Sequence, residues 1–143
     1  MIKSFRGKLA DGGQTTIRLS TNQGLIGYRI IKLSIVTASP GTNNGEHVLK
    51  LYKYEQTTID ANINFEDPTL LGIALTHDYT NAYQGGWNEH IIFDNEIFNQ
   101  DIFVTHKDLV NALDLNYYIE LEQVKLAVDE AAVATLKDMR GFN

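Results

Sequence analysis

Short apolar runs recur about every ten residues along this chain, each closed by glycine, asparagine, aspartate or proline, and no other feature limits the fold as strongly. Runs of that length suit strands, and the tight turn residues between them leave no space for the long helical crossovers that parallel pairing needs. The clearest run covers residues 116–126, where Tyr117, Ile119 and Leu121 share one face and Glu120 and Glu122 share the other. That alternation is the signature of a half-buried strand. Val124 and Leu126 fall on the glutamate face, so a bulge is expected near Glu122–Gln123. A helix is predicted over 129–140, with Asp129 as its cap and Val128 and Val133 in staple positions. Lys137 and Arg140 stand in its last turn and Gly141 just beyond it.

The remaining segments read as follows. Residues 1–10 and 14–20, joined by Asp11-Gly12-Gly13, predict an N-terminal hairpin. Residues 27–38 predict a central strand with Ile31, Leu33 and Ile35 on one face and Ile30 and Val36 on the other. The loop at 39–45 reads as the tip of a hairpin whose return strand is 47–54, with Lys50 and Lys53 near solvent. Residues 57–68 keep no sustained period. Residues 70–76 form a short apolar strand, in which Gly72 permits a bulge or a close backbone approach. Strands at 90–93 and 101–106 flank a turn at 94–96, with Ile97 and Phe98 inward, and 107–115 can hold one helical turn. About eight strands and one helix predict a mainly β single domain over residues 1–143, an antiparallel β-sandwich or jelly-roll-like fold ending in a short α-helix.

The formal charge of −6 over 143 residues opposes nucleic acid or an anionic membrane surface as a partner. A local basic patch remains at Lys3, Arg6 and Lys8. With no cysteine in the chain, disulfides, zinc–thiolate sites and thiol catalysis are excluded. The first thirty residues lack the apolar core of a leader and no run approaches ~20 apolar residues, so neither a cleaved signal nor a membrane span is expected.

Histidines at 47, 77, 90 and 106 lie near several acids, and a set such as His77, His90 and His106 would suit a metal-dependent hydrolase. None has the spacing of a helical or strand ligand pair, and strand-end histidines bonded to backbone are the simpler expectation. Residues 94–101 (DNEIFNQD) offer oxygens but not the aspartate–glycine pattern that wraps calcium. Glu120 and Glu122 could pair for glycoside hydrolysis, yet such carboxylates normally come from different elements across a cleft. No phosphate loop or nucleophile elbow is present. No catalytic, cofactor-binding or metal residue is therefore assigned, and enzyme activity is not expected. Tyr79, Tyr83 and Trp87 share a glycine-containing loop, which could anchor a protein interface, stack on a sugar or fold back over the core.

Two stretches, FRGKLADGGQTTIRLS…GYRIIK and IIFDNEIFNQDIFVTHKD…NYYIELEQVKLAVDEAAVATLKDMRG, resemble small virion structural proteins of tailed bacteriophages, particularly marine ones. The family has no assigned mechanism, so no site residues carry over. The resemblance implies a non-enzymatic component of the virion, assembled in the host cytoplasm as a head-decoration or tail-accessory subunit. Other virion proteins would be its partners, with self-association into a homo-oligomer, a trimer being the first expectation. Lys3, Arg6, Lys8, Tyr79, Tyr83 and Trp87 are the candidate interface residues. The alternative is a carbohydrate- or host-surface-binding module at the tail, working through the Tyr79/Tyr83/Trp87 loop.

Overall fold

The computed structural model describes residues 1–41, 44–78, 87–93 and 96–139, with Trp87 described by its backbone alone. Eight strands precede one helix: β1 (Ile2–Leu9), β2 (Gln14–Ile17), β3 (Ile26–Thr37), β4 (Gly45–Tyr52), β5 (Leu70–Asp78), β6 (Trp87–Ile92), β7 (Ile102–Asp108), β8 (Leu115–Lys125) and α1 (Val128–Met139). They form two antiparallel sheets, ordered β1-β8-β3 and β2-β7-β4-β5-β6. One apolar cluster draws on both, bringing Leu33, Ile119 and Leu121 of the smaller sheet together with Leu49, Leu51 and Val104 of the larger. No helix among the described residues is long and apolar enough to cross a membrane.

The alternating strand is the centre of the smaller sheet. β8 pairs with β1 from Ile2↔Glu122 to Leu9↔Leu115, and with β3 from Ile26↔Lys125 to Thr37↔Leu115. Its Leu115, Tyr117, Ile119 and Leu121 are buried, while Tyr118, Glu120 and Glu122 lie on the other face, half-buried. The expected bulge is displaced to the neighbouring strand: the register shifts between Ile30 and Lys32 of β3, not at Glu122–Gln123. The extra residue, Ile31, turns outward, so Ile30 and Leu33 carry the core instead of Ile31 and Leu33. Leu126 is accommodated at the far end, where β3 has a glycine. A Cβ on Gly27 would stand 2.8 Å from Ile97 Cγ2 and 3.1 Å from Leu126 Cδ1. Gly27→Ala is therefore expected to destabilise the fold by about 1–2 kcal/mol through overpacking. Chemical denaturation checks this, and an unchanged midpoint would show that Ile97 and Leu126 yield freely.

Neither expected hairpin forms. Gly12 adopts φ 75° in the predicted turn, but the turn is held by β7: the Gly12 N–H donates to His106 O at 2.9 Å and the His106 N–H to Gly13 O at 3.1 Å. Its two arms then diverge, β1 to β8 and β2 to β7. The connection after β3 likewise changes sheets, and β4 pairs with β5 and β7. β3 is an edge strand of its sheet, and Val36 is exposed, not covered.

Lys50 and Lys53 are buried, not solvated: the aperiodic segment after β4 folds over Lys50, and Lys53 runs in toward Glu96 and Asp138. Lys50 Nζ donates to Asn62 O at 2.7 Å and Asp60 Oδ1 at 3.1 Å, and Ile63 packs on a second apolar cluster of Tyr52, Leu70 and Ile73. The predicted close approach at Gly72 is present, its Cβ position lying 3.0 Å from Ile91 O, beside a register shift at Leu51/Tyr52. The helical turn expected after β7 is replaced by a loop wound on Asp108, whose carboxylate accepts the N–H groups of Glu46, Val110 and Leu113. These bonds hold the Asp108 carboxyl below the usual range despite burial, which opposes them.

Candidate interaction surfaces

The basic N-terminal patch divides across the smaller sheet. Arg6 and Lys8 alternate with the inward residues of β1 and stand on its outer face, opposite Tyr118 and Asn116 of β8, which face Ser34 and Val36 of β3. Together they line a groove of about 490 Å³. Lys3 has the other parity, and its ammonium lies 5.9 Å from the Tyr28 ring centroid. Arg6 forms no ion pair among the described residues, and Lys8 reaches Asp114 only at 3.9 Å with both side chains largely exposed, a weak attraction. The groove floor is ordered: Lys32 sits 5.8 Å from the Tyr118 ring centroid, and the Tyr118 hydroxyl donates to Glu120 Oε2 at 2.9 Å. That bond raises the phenol above its ordinary pKa.

The helix at the chain's C-terminal side docks in an unexpected orientation. At about 100° per residue, Ala131, Thr135 and Asp138 share one side of α1, and Val128, Leu136 and Met139 lie on another with Val133 beside them. A core-facing apolar side would be the ordinary arrangement, but here the polar side is inward. Asp138 is buried, its Oδ2 accepting the Asn99 N–H at 2.9 Å. Asn99 Nδ2 donates to Thr135 Oγ1 at 2.7 Å and Gly24 O at 3.0 Å. Lys53 Nζ supplies the countercharge, 3.5 Å from Asp138 Oδ1 and bonded to Glu96. Burial nonetheless pushes the Asp138 carboxyl above its ordinary pKa. Val128, Val133, Leu136 and Met139 are left 77%, 65%, 49% and 64% exposed. The staple predicted for Val128 and Val133 is thus open to solvent, and the helix start is tied instead by Glu130 Oε1 accepting the Ala127 N–H at 3.3 Å. Ile97, Leu126, Val133 and the acids Asp129 and Glu130 border a second groove, of about 520 Å³.

The candidate chemical groups are dispersed or occupied. Glu122 is held by Arg29 through bonds of 2.9 and 3.0 Å, and Glu120 by Tyr118, so the two carboxylates make a charged sheet face. His77, His90 and His106 do not converge: His77 lies 3.3 Å from Glu46, His90 is exposed and His106 is buried. No group of three or more potential metal ligands gathers among the described residues. A different pair does meet, since His47 Nδ1 and His106 Nε2 are 2.8 Å apart with both rings buried. The sequence clue was parity, as His47 continues the inward series Leu49, Leu51 and His106 the inward series Ile102, Val104.

Of the aromatic loop, Tyr79, Tyr83 and the Trp87 side chain lie outside the described residues, while the Trp87 backbone pairs with His77 where β6 begins. Two surfaces thus carry interaction potential, a basic groove on the smaller sheet and the solvent-facing apolar side of α1. In comparisons with known proteins, the chain matches no family model and no curated sequence.

Proposed function

We propose that this chain is a non-enzymatic structural subunit of a tailed-phage particle that works through protein–protein contacts, including contacts with copies of itself, as a head-decoration or tail-accessory component. The phage assignment rests on the sequence resemblance of the two stretches quoted above. The contact role rests on one observation: α1 commits its polar side to the body of the protein and presents Val128, Leu136 and Met139 outward. Fully covering a side chain of that kind is worth about 1.5–3 kcal/mol, and clustered exposed apolar residues mark interaction sites. The two sheets sharing one cluster support the reading of the fold as a β-sandwich of jelly-roll-like type.

Mass spectrometry of purified particles and light scattering of the isolated chain test this function. The chain is expected among the virion proteins and in an associated form in solution, and Met139→Glu is expected to lower its mass without changing its circular dichroism. A chain that is absent from particles and monomeric at every concentration would end the proposal. Copy number per particle separates a repeated head component from a tail component.

A further inference from the structure

We infer that copies of this chain join head to tail, the acid-rimmed groove beside α1 of one copy receiving the basic outer face of β1-β8-β3 of the next. The inference rests on the self-associating role proposed above and adds a joint beside the Val128–Leu136–Met139 face, through a groove that meets the helix at Val133, Asp129 and Glu130. Two surfaces meet. The first is apolar at its floor, with Ile97, Leu126 and Val133, and carries the exposed acids Asp129 and Glu130. Glu96 and Lys137 also line it, but they pair with each other at 3.7 Å, and Glu96 is bonded to Lys53 as well, so Asp129 and Glu130 set the sign of the rim. The second has matching content of the opposite sign: exposed Arg6 and Lys8 flank Val36, 59% exposed, and the Tyr118 ring. The stems of Arg6 and Lys8 can themselves cover apolar surface.

Geometry makes the joint intermolecular. The acidic groove lies at the Gly27 end of β3, through Leu126 and Ile97, and the basic groove at the Val36 end. Nine residues of strand at ~3.3 Å each place them about 30 Å apart, too far for the charges to satisfy one another within a chain. Because the two surfaces differ and sit at opposite ends of one sheet, using one leaves the other free. A contact of this heterologous kind propagates around a ring or along a filament, whereas a self-complementary contact stops at two copies. In a molecule of net charge −6, a local basic face is also the surface best placed to draw in another copy's acids.

Sedimentation of the full chain with two reciprocal variants tests the joint. All four altered residues are exposed, and because Glu130 also bonds the Ala127 N–H, circular dichroism and hydrogen exchange across α1 confirm that each variant keeps its fold and its helix. Wild type is expected to associate reversibly, and less so as salt rises. Arg6→Glu/Lys8→Glu and Asp129→Lys/Glu130→Lys should each weaken association by at least about tenfold. Mixed in equal amounts they should associate again in alternating, equimolar complexes, and the chain carrying all four changes should recover association by itself. An associated wild type indifferent to both reversals, or variants that neither mix nor recover when combined, would overturn the head-to-tail joint while leaving self-association standing. A wild type that is monomeric throughout would remove both.

Discussion

Asn99→Ala is expected to loosen α1 on the sheets at a cost of about 1–3 kcal/mol, the Asn99 backbone N–H to Asp138 being retained. Asn99 is fully buried, and its amide is the hub between three segments that share no strand pairing. Nδ2 donates to the carbonyl of Gly24 and the hydroxyl of Thr135, and one of its two hydrogens is shared with the carbonyl of Ala131 at 3.3 Å. Alanine leaves the Gly24 carbonyl facing a void, and a buried acceptor without a donor costs more than an average hydrogen bond contributes. Gly24 cannot move in to compensate cheaply, because its backbone is held at φ 65° against the Asn99 side chain. Little apolar contact takes over, since the outer side of the helix touches solvent. Hydrogen exchange should therefore accelerate across α1 ahead of β8, with a lowered midpoint of thermal unfolding. If the helix amides exchange as slowly as in wild type, the polar hub does not anchor α1. In the proposed particle the same variant should lose self-association, because the surface made by Ile97, Leu126 and Val133 depends on where the helix sits.

Acidification below about pH 6.5 is expected to destabilise the fold through His47, with a slope of no more than about 1.4 kcal/mol per pH unit. The Ala10 carbonyl lies 3.0 Å from His106 Nδ1 and can only accept, so that nitrogen carries a proton. With that proton on Nδ1, His106 Nε2 accepts from His47 Nδ1–H, and His47 Nε2 is left as a buried acceptor with no protein partner among the described residues. Burial lowers the His47 pKa, aided by His106 and opposed by the carboxylates of Asp108, Asp78 and Asp11. A histidine whose folded pKa is depressed gives up stability as pH falls from the unfolded value, near 6.5, toward the folded one. Asp60, Asp101 and Asp108, all lowered, act in a separate window below their ordinary value of 3.8. Denaturant midpoints from pH 7.5 to 5 should fall in wild type and stay level in His47→Gln, after allowance for its own lower starting stability. Parallel curves for the two proteins would assign the acid sensitivity elsewhere.

How much of this was legible beforehand depends on whether the cause is local. β8 showed itself because Tyr117, Ile119 and Leu121 alternate with acids in consecutive positions, and α1 because its acids and lysine sit at the ends the dipole favours. Gly72 was readable for the same reason, as a strand glycine has few other uses. Partner choice was not readable. The turn after β1 looks like a hairpin in isolation, and only His106, almost a hundred residues on, redirects its arms. Lys50 looks like a solvent-facing residue until an aperiodic segment folds over it and supplies Asp60 and Asn62, and Lys53 does until Glu96 and Asp138 meet it from far along the chain. The helix was foreseen in place but not in orientation: its sequence holds both an apolar side and the Ala131–Thr135–Asp138 side, and Asn99 and Lys53 decide between them from other elements. Of the candidate interface, Arg6 and Lys8 were found together from sequence, while Lys3 differs in strand parity. The acids that complement them drew no notice, because at a helix start they look like ordinary capping.

The position of β8 between β1 and β3 has a consequence for synthesis. Neither neighbour has another strand partner in that sheet, so the first strand leaves the ribosome more than a hundred residues before its mate exists. At roughly 5–20 residues per second, that is a wait on the order of ten seconds. The larger sheet can gather meanwhile, since its last member, β7, precedes β8. Maturation of this chain is thus timed by β8, and a message truncated before it would yield a five-stranded half with an unclosed apolar side, a substrate for chaperones and proteases.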